Sequence, residues 1–186
     1  MDHTCGACSA SPNAEDMARL FLAVWPPEEV TEQLMSLPRK DQRGVRFVRP
    51  ENWHITLRFL GEADPDDVSE RLAGIRVGAT TARLGPGVDV IEARALVIPV
   101  RGVDAIAAAV AERTRDTGTP PRKRFNGHLT IARVKAHAPM PRALGMLVSA
   151  EFAVDKIALV LSRLHQDGAR YETVETWPVG TSPTTF

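Results

Sequence analysis

The sequence predicts an α+β fold of two pseudo-symmetric lobes, each with an antiparallel sheet and flanking helices, around a central cleft. The first observation is an order of strand, helix and strand that occurs twice along the chain. The second is a His-x-Thr motif in the closing strand of each repeat, at His54 and His128. The repeats match in length, with 33 positions from Phe21 to His54 and 32 from Leu96 to His128. This pattern is typical of a duplicated unit whose halves pack together.

The first repeat is identified by its apolar pattern and its prolines. Residues 19–25 form a short apolar run that ends at two prolines, which cannot donate the hydrogen bonds of a continuing strand. Residues 27–37 carry apolar side chains at helical spacing, with a proline suited to the first turn and another that stops the helix. Residues 53–60 then predict a strand that closes at Gly61.

The second repeat has the same elements, and further strands follow it. Residues 95–100 predict a strand, residues 103–115 an alanine-rich helix that Gly118 breaks, and residues 128–134 the closing strand. Elsewhere we expect a helix at 66–75, a glycine-punctuated pair of strands within 82–92, and late strands at 152–162 and 171–177.

The composition excludes several classes of protein. The 23 basic and 23 acidic side chains balance, so the chain lacks the positive field that holds long nucleic-acid duplexes, and any nucleic-acid contact should be small and local. No apolar stretch is long enough to span a bilayer, and the start of the chain lacks the pattern of a secretory signal. We expect a cytoplasmic, monomeric protein that does not bind membranes.

The length of 186 residues predicts one bilobal domain, which we place at residues 18–180, between a flexible leader at 1–17 and a tail at 181–186. The two cysteines, Cys5 and Cys8, lie in the leader, so no disulfide framework is expected. Their spacing fits half a zinc site or a redox pair. However, further zinc ligands are lacking nearby, and a redox pair normally opens a helix after a strand. We therefore interpret the leader as disordered.

Each motif places a histidine and a threonine on one face of its strand. Residues two apart on a strand project to the same side, so His54 and Thr56 share a face, as do His128 and Thr130. The apolar residues between and after them form the opposite, core-facing side. If the lobes pack about a pseudo-twofold axis, both polar faces converge on one cleft. A lone motif would favour a structural histidine, whereas the duplication favours a functional site.

Two histidines and two threonines suit the opening of a cyclic phosphodiester. This reaction needs a base that deprotonates water and an acid that protonates the departing ribose oxygen, and imidazole performs both near neutral pH. Hydroxyl groups and an arginine can stabilise charge on the phosphate oxygens, and Thr56, Thr130 and Arg133 are the candidates. Because the histidine pair needs no divalent ion and no carboxylate cluster stands out, we expect neither a metal nor a cofactor.

Both motifs resemble those of a known superfamily. Residues 52–61 (Asn-Trp-His-Ile-Thr-Leu-Arg-Phe-Leu-Gly) and 128–133 (His-Leu-Thr-Ile-Ala-Arg) are similar to the two signature motifs of the 2H phosphoesterases. Within that superfamily the chain resembles the bacterial and archaeal RNA 2′,3′-cyclic phosphodiesterases, also called 2′-5′ RNA ligases after a reverse activity. The likeness extends over residues 19–179 and implies the bilobal 2H phosphoesterase fold.

The resemblance also implies a role for each motif residue. In that family the first histidine is the proton donor and the second is the proton acceptor, which assigns these roles to His54 and His128. The threonines Thr56 and Thr130 correspond to phosphate ligands. One departure is Gly127, because the family commonly has proline just before the second histidine. This departure predicts a more flexible loop from Phe125.

Two residues after the first motif are candidate substrate contacts. Arg58 has the strand parity of His54 and Thr56, which predicts a side chain in the cleft, although a solvated surface arginine is the alternative. Phe59 could stack on a base beside the cyclic phosphate, as in single-strand binders. Its parity with the apolar residues favours the core instead.

Two arginines near the second motif are also candidates. Arg133 lies five positions after His128, so only a strand end or a bulge would turn it into the cleft to contact phosphate or RNA. Arg124 belongs to the basic run at 122–124, which is either a solvated loop or a cleft rim that attracts RNA phosphates.

We therefore predict a hydrolase that converts RNA-terminal 2′,3′-cyclic phosphate to a 2′-phosphomonoester. Small cyclic nucleotides, 2′-5′ linkages and reverse 2′-5′ ligation are alternatives, since both motifs would serve any such phosphodiester. A noncatalytic RNA- or nucleotide-binding module is an alternative of a different class. The two histidines disfavour it, because a binding module needs no paired proton donor and acceptor.

Overall fold

The structure, a computed structural model, describes residues 18–120, 124–165 and 168–180, and it has the predicted α+β class. The helices are α1 (Glu28–Met35), α2 (Pro65–Leu72) and α3 (Asp104–Arg113). The strands are β1 (Ala18–Val24), β2 (Val45–Phe47), β3 (Ile55–Ala63), β4 (Thr81–Leu84), β5 (Asp89–Ile91), β6 (Ala95–Arg101), β7 (His128–Val134), β8 (Ala150–Ala153), β9 (Lys156–His165) and β10 (Gly168–Pro178).

The strands form one sheet in which the closing strands of the two repeats meet at the centre. The order is β10-β9-β1-β3-β7-β6-β4-β8, with β2 also on β7 and β5 also on β6. Each repeat gives two antiparallel neighbours, β1 with β3 and β6 with β7. The lobes join where Ile55 of β3 pairs with Leu129 of β7. This junction is where the sequence predicted that the two polar faces converge.

The helices connect the two lobes through a shared core. α1, from the first repeat, contacts β8 of the second lobe, and α3, from the second repeat, contacts β3 of the first lobe. Their apolar faces are buried as the helical spacing predicted, with Leu34 of α1 and Val110 of α3 at most 1% exposed. Apolar side chains of both lobes therefore belong to one cluster, which fixes the lobes beside each other.

Several sequence predictions about elements were wrong in detail. β3 does not close at Gly61 but continues to Ala63, because Gly61 takes a φ of 70° within a bulge. The predicted strand at 152–162 is the two strands β8 and β9. β4 and β5 do not pair with each other, since each pairs with β6. β2 was missed because three residues are too few to reveal an alternating pattern.

Some of the predictions lie outside the described residues. These are the predictions for the leader with Cys5 and Cys8, for the tail at 181–186, and for Arg122 and Lys123 of the basic run.

Candidate active site

The junction of β3 and β7 brings the four motif residues onto one face of the sheet. The apolar residues between each His and Thr pair with one another, so the register sets His54 opposite Thr130 and Thr56 opposite His128. Opposed residues of antiparallel strands share a face. All four side chains are half-buried and line a cleft of about 780 Å³. The predicted convergence of the two motifs therefore occurs in the structure.

A bulge in β7 turns Arg133 into the same cleft. Val97 of β6 pairs with Thr130, but the preceding Leu96 pairs with Ala132, so β7 has one extra residue at this point. The extra residue and Ala132 are both buried, and the alternation of faces reverses after them. Arg133 consequently lines the cleft, as the sequence predicted for a bulged strand.

The equivalent bulge occurs at the same point of β3. Ala23 of β1 pairs with Thr56, whereas Leu22 pairs with Arg58, so one residue of β3 is again extra. The side chain that returns to the cleft is Phe59, the fifth residue after its histidine, as Arg133 is in β7. The duplication thus extends beyond the two motifs, and it places an aromatic ring and a cation at equivalent positions.

The bulge in β3 overturns the prediction that Arg58 lies in the cleft. Arg58 is 5% exposed on the opposite side of the sheet, where its guanidinium donates hydrogen bonds to the carbonyl oxygens of Ala111 at 2.8 Å and Thr117 at 3.1 Å. The prediction that Phe59 belongs to the core was also wrong, because this side chain is 45% exposed. Both errors arise because strand parity holds only without a bulge.

Each catalytic candidate histidine is held by a hydrogen bond to the chain two residues earlier. The distance from Nδ1 to the carbonyl oxygen is 2.7 Å both for His54 to Asn52 and for His128 to Asn126. A carbonyl only accepts, so Nδ1 carries a proton in both rings, and Nε2 remains for proton exchange. Sequence reasoning missed these contacts, although an asparagine precedes each histidine by two positions.

The asparagine of the first repeat also anchors the late strands. Its side-chain Nδ2 donates to the carbonyl oxygen of Ala169 at 3.1 Å, which ties the turn before His54 to β10. Arg170 and Tyr171, the next residues of β10, line the cleft. The side chain of Asn52 therefore connects the histidine support to a wall of the site.

The two histidines differ in their surroundings. The ring of His54 lies 4.8 Å from Phe21, 5.5 Å from Trp25 and 5.1 Å from Tyr171, measured between ring centroids. No comparable aromatic contact to His128 is found in the part of the chain that the structure describes. His54 is thus enclosed by β1 and β10, whereas His128 is not enclosed in this way.

This enclosure affects the acidity of His54. Burial lowers the pKa of its imidazole, because the charged form loses hydration. The hydrogen bond from Nδ1 to Asn52 opposes that change, and the positive charges of His128 and Arg133 lower the pKa further. His54 therefore loses its proton more readily than a free imidazole does.

The cleft is positively charged although the whole chain is neutral. Among the residues that the structure describes, five arginines line it together with one carboxylate, Glu51. The arginines are Arg19, Arg46, Arg49, Arg133 and Arg170. Because Arg46 of β2 pairs with Arg133 of β7, their side chains share the cleft face. This local field favours an anionic ligand.

Arg124 and Gly127, the two candidates just before the second motif, have different surroundings. Arg124 is exposed but does not line the cleft, so the structure does not place it at the predicted rim. Gly127 is buried, and its carbonyl oxygen accepts a hydrogen bond from the N–H of Val100 at 2.8 Å. A Cβ at this position would lie 2.5 Å from the Val100 carbonyl oxygen. Gly127 is thus packed against β6, and the flexibility of the loop from Phe125 stays a prediction.

The described part of the chain has neither a cluster of metal ligands nor a membrane-spanning helix. Within residues 18–120, 124–165 and 168–180, no group of three or more His, Cys, Asp or Glu side chains could hold a metal ion. None of the helices in these ranges is long and apolar enough to cross a membrane. The polar groups that face the cleft are mainly imidazoles, hydroxyls and guanidinium groups.

Known proteins share this sequence and this fold. The family model of the LigT-like phosphoesterases matches residues 24–84. The RNA 2′,3′-cyclic phosphodiesterase of Thermus thermophilus is 33% identical over 183 residues, which cover 84% of this chain and 88% of the relative. That of Aquifex aeolicus is 33% identical over 185 residues, covering 88% and 98%. The chain belongs to the LigT-like phosphoesterase family.

Solved structures agree with this membership. The Thermus thermophilus protein TT0787 has a TM-score of 0.68 at 30% identity, covering 87% of this chain and 98% of that one. The Escherichia coli LigT complex with 3′-AMP has a TM-score of 0.73 at 23% identity, covering 89% and 99%, which shows a common fold. The resemblance to the 2H phosphoesterases seen in the sequence is therefore confirmed.

Proposed function

We propose that this LigT-like phosphoesterase hydrolyses 2′,3′-cyclic phosphate at RNA ends to a 2′-phosphomonoester, with two histidines and without a metal. The observation that carries the proposal is the pair of histidines on one cleft face, each with Nδ1 bonded to a carbonyl oxygen and each opposite a threonine. The name shared by relatives at 33% identity, RNA 2′,3′-cyclic phosphodiesterase, supports the same reaction.

The two proton transfers are divided between the histidines. Nε2 of His128 takes a proton from water, and the water oxygen attacks phosphorus opposite O3′. The bond between phosphorus and O3′ breaks, and Nε2 of His54 donates its proton to the departing O3′. The phosphate then remains on O2′. The aromatic enclosure of His54 fits this division, because bulk water has better access to His128.

The lowered pKa of His54 is compatible with a proton donor. The phosphodiester is an anion, and an opposite charge beside an imidazole favours its protonated form. Substrate binding therefore raises the pKa of His54 and loads the donor at the moment when its proton is needed. An imidazolium whose pKa is lowered by burial also gives up its proton more readily to the leaving oxygen.

The residues around the histidines stabilise and orient the substrate. Thr56 and Thr130 donate hydrogen bonds to nonbridging phosphate oxygens, on which charge grows during attack. Arg133 supplies a charge-assisted contact to the same oxygens or to the RNA backbone. Phe59, exposed at the equivalent position of the first repeat, offers a ring on which the terminal base stacks.

The proposal is tested by one digestion with two readouts. A cyclic-phosphate-ended oligoribonucleotide is incubated with protein after exhaustive chelation, and the terminus is identified by phosphorus NMR. We expect full activity and a 2′-phosphate. Activity that is lost on chelation and restored by one divalent ion would disprove metal independence. A product with only a 3′-phosphate would show that the ribose binds in the opposite orientation, with O2′ as the leaving oxygen, and would be compatible with the two-histidine mechanism.

The same assay separates the alternatives. If mononucleoside cyclic phosphates or 2′-5′ linkages are turned over faster than the cyclic-phosphate-ended oligoribonucleotide, those compounds are the preferred substrates. Tight binding without turnover of any of them would identify a noncatalytic module. The cytoplasmic location predicted from the sequence belongs to this proposal and is tested separately by cell fractionation.

A further inference from the structure

Arg58 is a buried cation for which the proposed chemistry has no use. Its two terminal nitrogens donate to the carbonyl oxygens of Ala111 and Thr117, and its Nε has no hydrogen-bond partner among the described residues. No carboxylate of the described chain forms an ion pair with it. Asp67, which is linked to Thr117, instead accepts hydrogen bonds from the Thr117 hydroxyl at 2.8 Å and from Arg71 at 2.9 Å.

The burial of Arg58 without a carboxylate partner costs free energy of folding. Burying a guanidinium among neutral carbonyls costs more than burying an apolar side chain of similar length. The Ala111 carbonyl belongs to the last turn of α3, where carbonyls lack partners within the helix and carry partial negative charge. Arg58 therefore caps α3 from a strand of the other lobe.

The same segment after α3 is fastened to β3 at a second point. The N–H of Thr119 donates to the carbonyl oxygen of Leu60 at 2.6 Å, two residues beyond Arg58. Gly118 approaches that carbonyl so closely that a Cβ would have no room. β3 has two irregularities, one between Thr56 and Arg58 and one between Phe59 and Gly61. The segment after α3 thus contacts β3 at Arg58, beside the first irregularity, and at Leu60, within the second.

The second repeat shows that the bulge alone does not require an arginine. At the equivalent position of β7 stands Ala132, which is fully buried. The anchored bulge of β3 presents Phe59, whose ring is contacted from the cleft side by the guanidinium of Arg19 at 5.2 Å from the ring centroid. The arginine therefore occurs in the repeat whose bulge carries an exposed aromatic ring, and it holds β3 from the side of the sheet opposite the cleft.

We propose that Arg58 is a positioning residue for substrate binding, which locks the bulge of β3 from behind and so holds Phe59 at the cleft. The inference rests on the proposed function, because it takes Phe59 to contact the base. Arg58 itself does not touch the substrate. Its loss should weaken binding of the base and leave binding of the phosphate group unchanged.

The test compares the affinities of adenosine 2′-monophosphate and inorganic phosphate by calorimetry. Phe59→Ala and Arg58→Met should each weaken nucleotide binding by roughly five- to a hundred-fold, the effect of losing one stacked base, without changing phosphate binding. The double variant should bind the nucleotide no more weakly than Phe59→Ala alone. Arg115→Met is the matched control and should change neither affinity. Arg115 is an exposed arginine just after α3, where it forms an ion pair with Glu112.

Each other outcome overturns the inference. Wild-type nucleotide affinity in Arg58→Met, equal loss of phosphate affinity, or losses that multiply in the double variant would show that Arg58 does not act through Phe59. If Arg58→Met does not fold, Arg58→Lys replaces it in the same comparison. Weaker nucleotide binding with unchanged phosphate binding would then support the inference, and unchanged nucleotide binding would overturn it. Because binding needs no turnover, wild-type protein that discriminates the base but does not hydrolyse the cyclic phosphate would refute only the proposed function.

Discussion

Gly127→Ala should weaken both the fold and catalysis, because Gly127 packs against β6 immediately before His128. The new Cβ would lie 2.5 Å from the Val100 carbonyl oxygen and 3.3 Å from Cγ2 of Val103. Ordinary contacts of this kind are about 3.5 Å, so β6 and the chain before β7 must separate by roughly 1 Å. That movement would stretch the hydrogen bond of 2.8 Å from the Val100 N–H to the Gly127 carbonyl oxygen.

The magnitude follows from these two effects. Overpacking costs about 1–3 kcal/mol, and the weakened hydrogen bond adds about 1 kcal/mol. We therefore expect the free energy of unfolding to fall by about 2–4 kcal/mol. A displacement of roughly 1 Å at His128, whose Nδ1 bond to Asn126 belongs to the same segment, should lower kcat by up to about a hundred-fold.

Urea denaturation and steady-state turnover measure the two effects. Gly78→Ala is the matched control, since no atom lies within 4 Å of its Cβ, and it should change the free energy of unfolding by less than about 0.5 kcal/mol. Gly127→Pro, which introduces the residue common in the family, brings the same Cβ and should also destabilise this chain. Wild-type stability and turnover in Gly127→Ala would refute the packing argument.

Three further predictions concern the cleft. Thr56→Val and Thr130→Val should each slow turnover by roughly ten- to a thousand-fold without unfolding the protein, and unchanged kinetics in both would make the hydroxyls structural. Arg133→Met should raise KM for the oligoribonucleotide more than Arg124→Met does, because only Arg133 lines the cleft; equal effects would contradict this placement. Imidazole NMR should find the pKa of His54 below the usual value because of burial, and bound phosphate should raise it. Since folding disfavours protonated His54, its contribution to stability is present above the usual imidazole pKa and is lost as pH falls from that value through the lowered pKa of the folded protein. Titration of His54 at the usual imidazole pKa would count against the enclosure.

The motif residues could be predicted because their geometry is local. Residues two apart share a strand face, and the repeat of the motif identified the two strands that meet, so His54, Thr56, His128 and Thr130 needed no tertiary information. Arg133 could be predicted only on the condition of a bulge, which the structure contains.

The remaining features depend on contacts that the sequence pattern does not encode. The bulge in β3 arises from its pairing with β1 and exchanged the predicted places of Arg58 and Phe59. The aromatic enclosure of His54 joins β1 to β10, which are separated by more than a hundred residues. The positive cleft gathers arginines from several elements of a neutral chain, so overall composition could not reveal it.

The central claim is that His54 and His128 divide the two proton transfers, and the pH dependence of their alanine variants tests it most directly. With a cyclic-phosphate-ended oligoribonucleotide and chelated protein, each substitution should lower turnover by roughly a hundred- to ten-thousand-fold. His54→Ala should abolish the alkaline limb of the bell-shaped profile, where the donor must stay protonated, and His128→Ala the acidic limb, where the base must stay free. Full activity in either variant would contradict the two-histidine account.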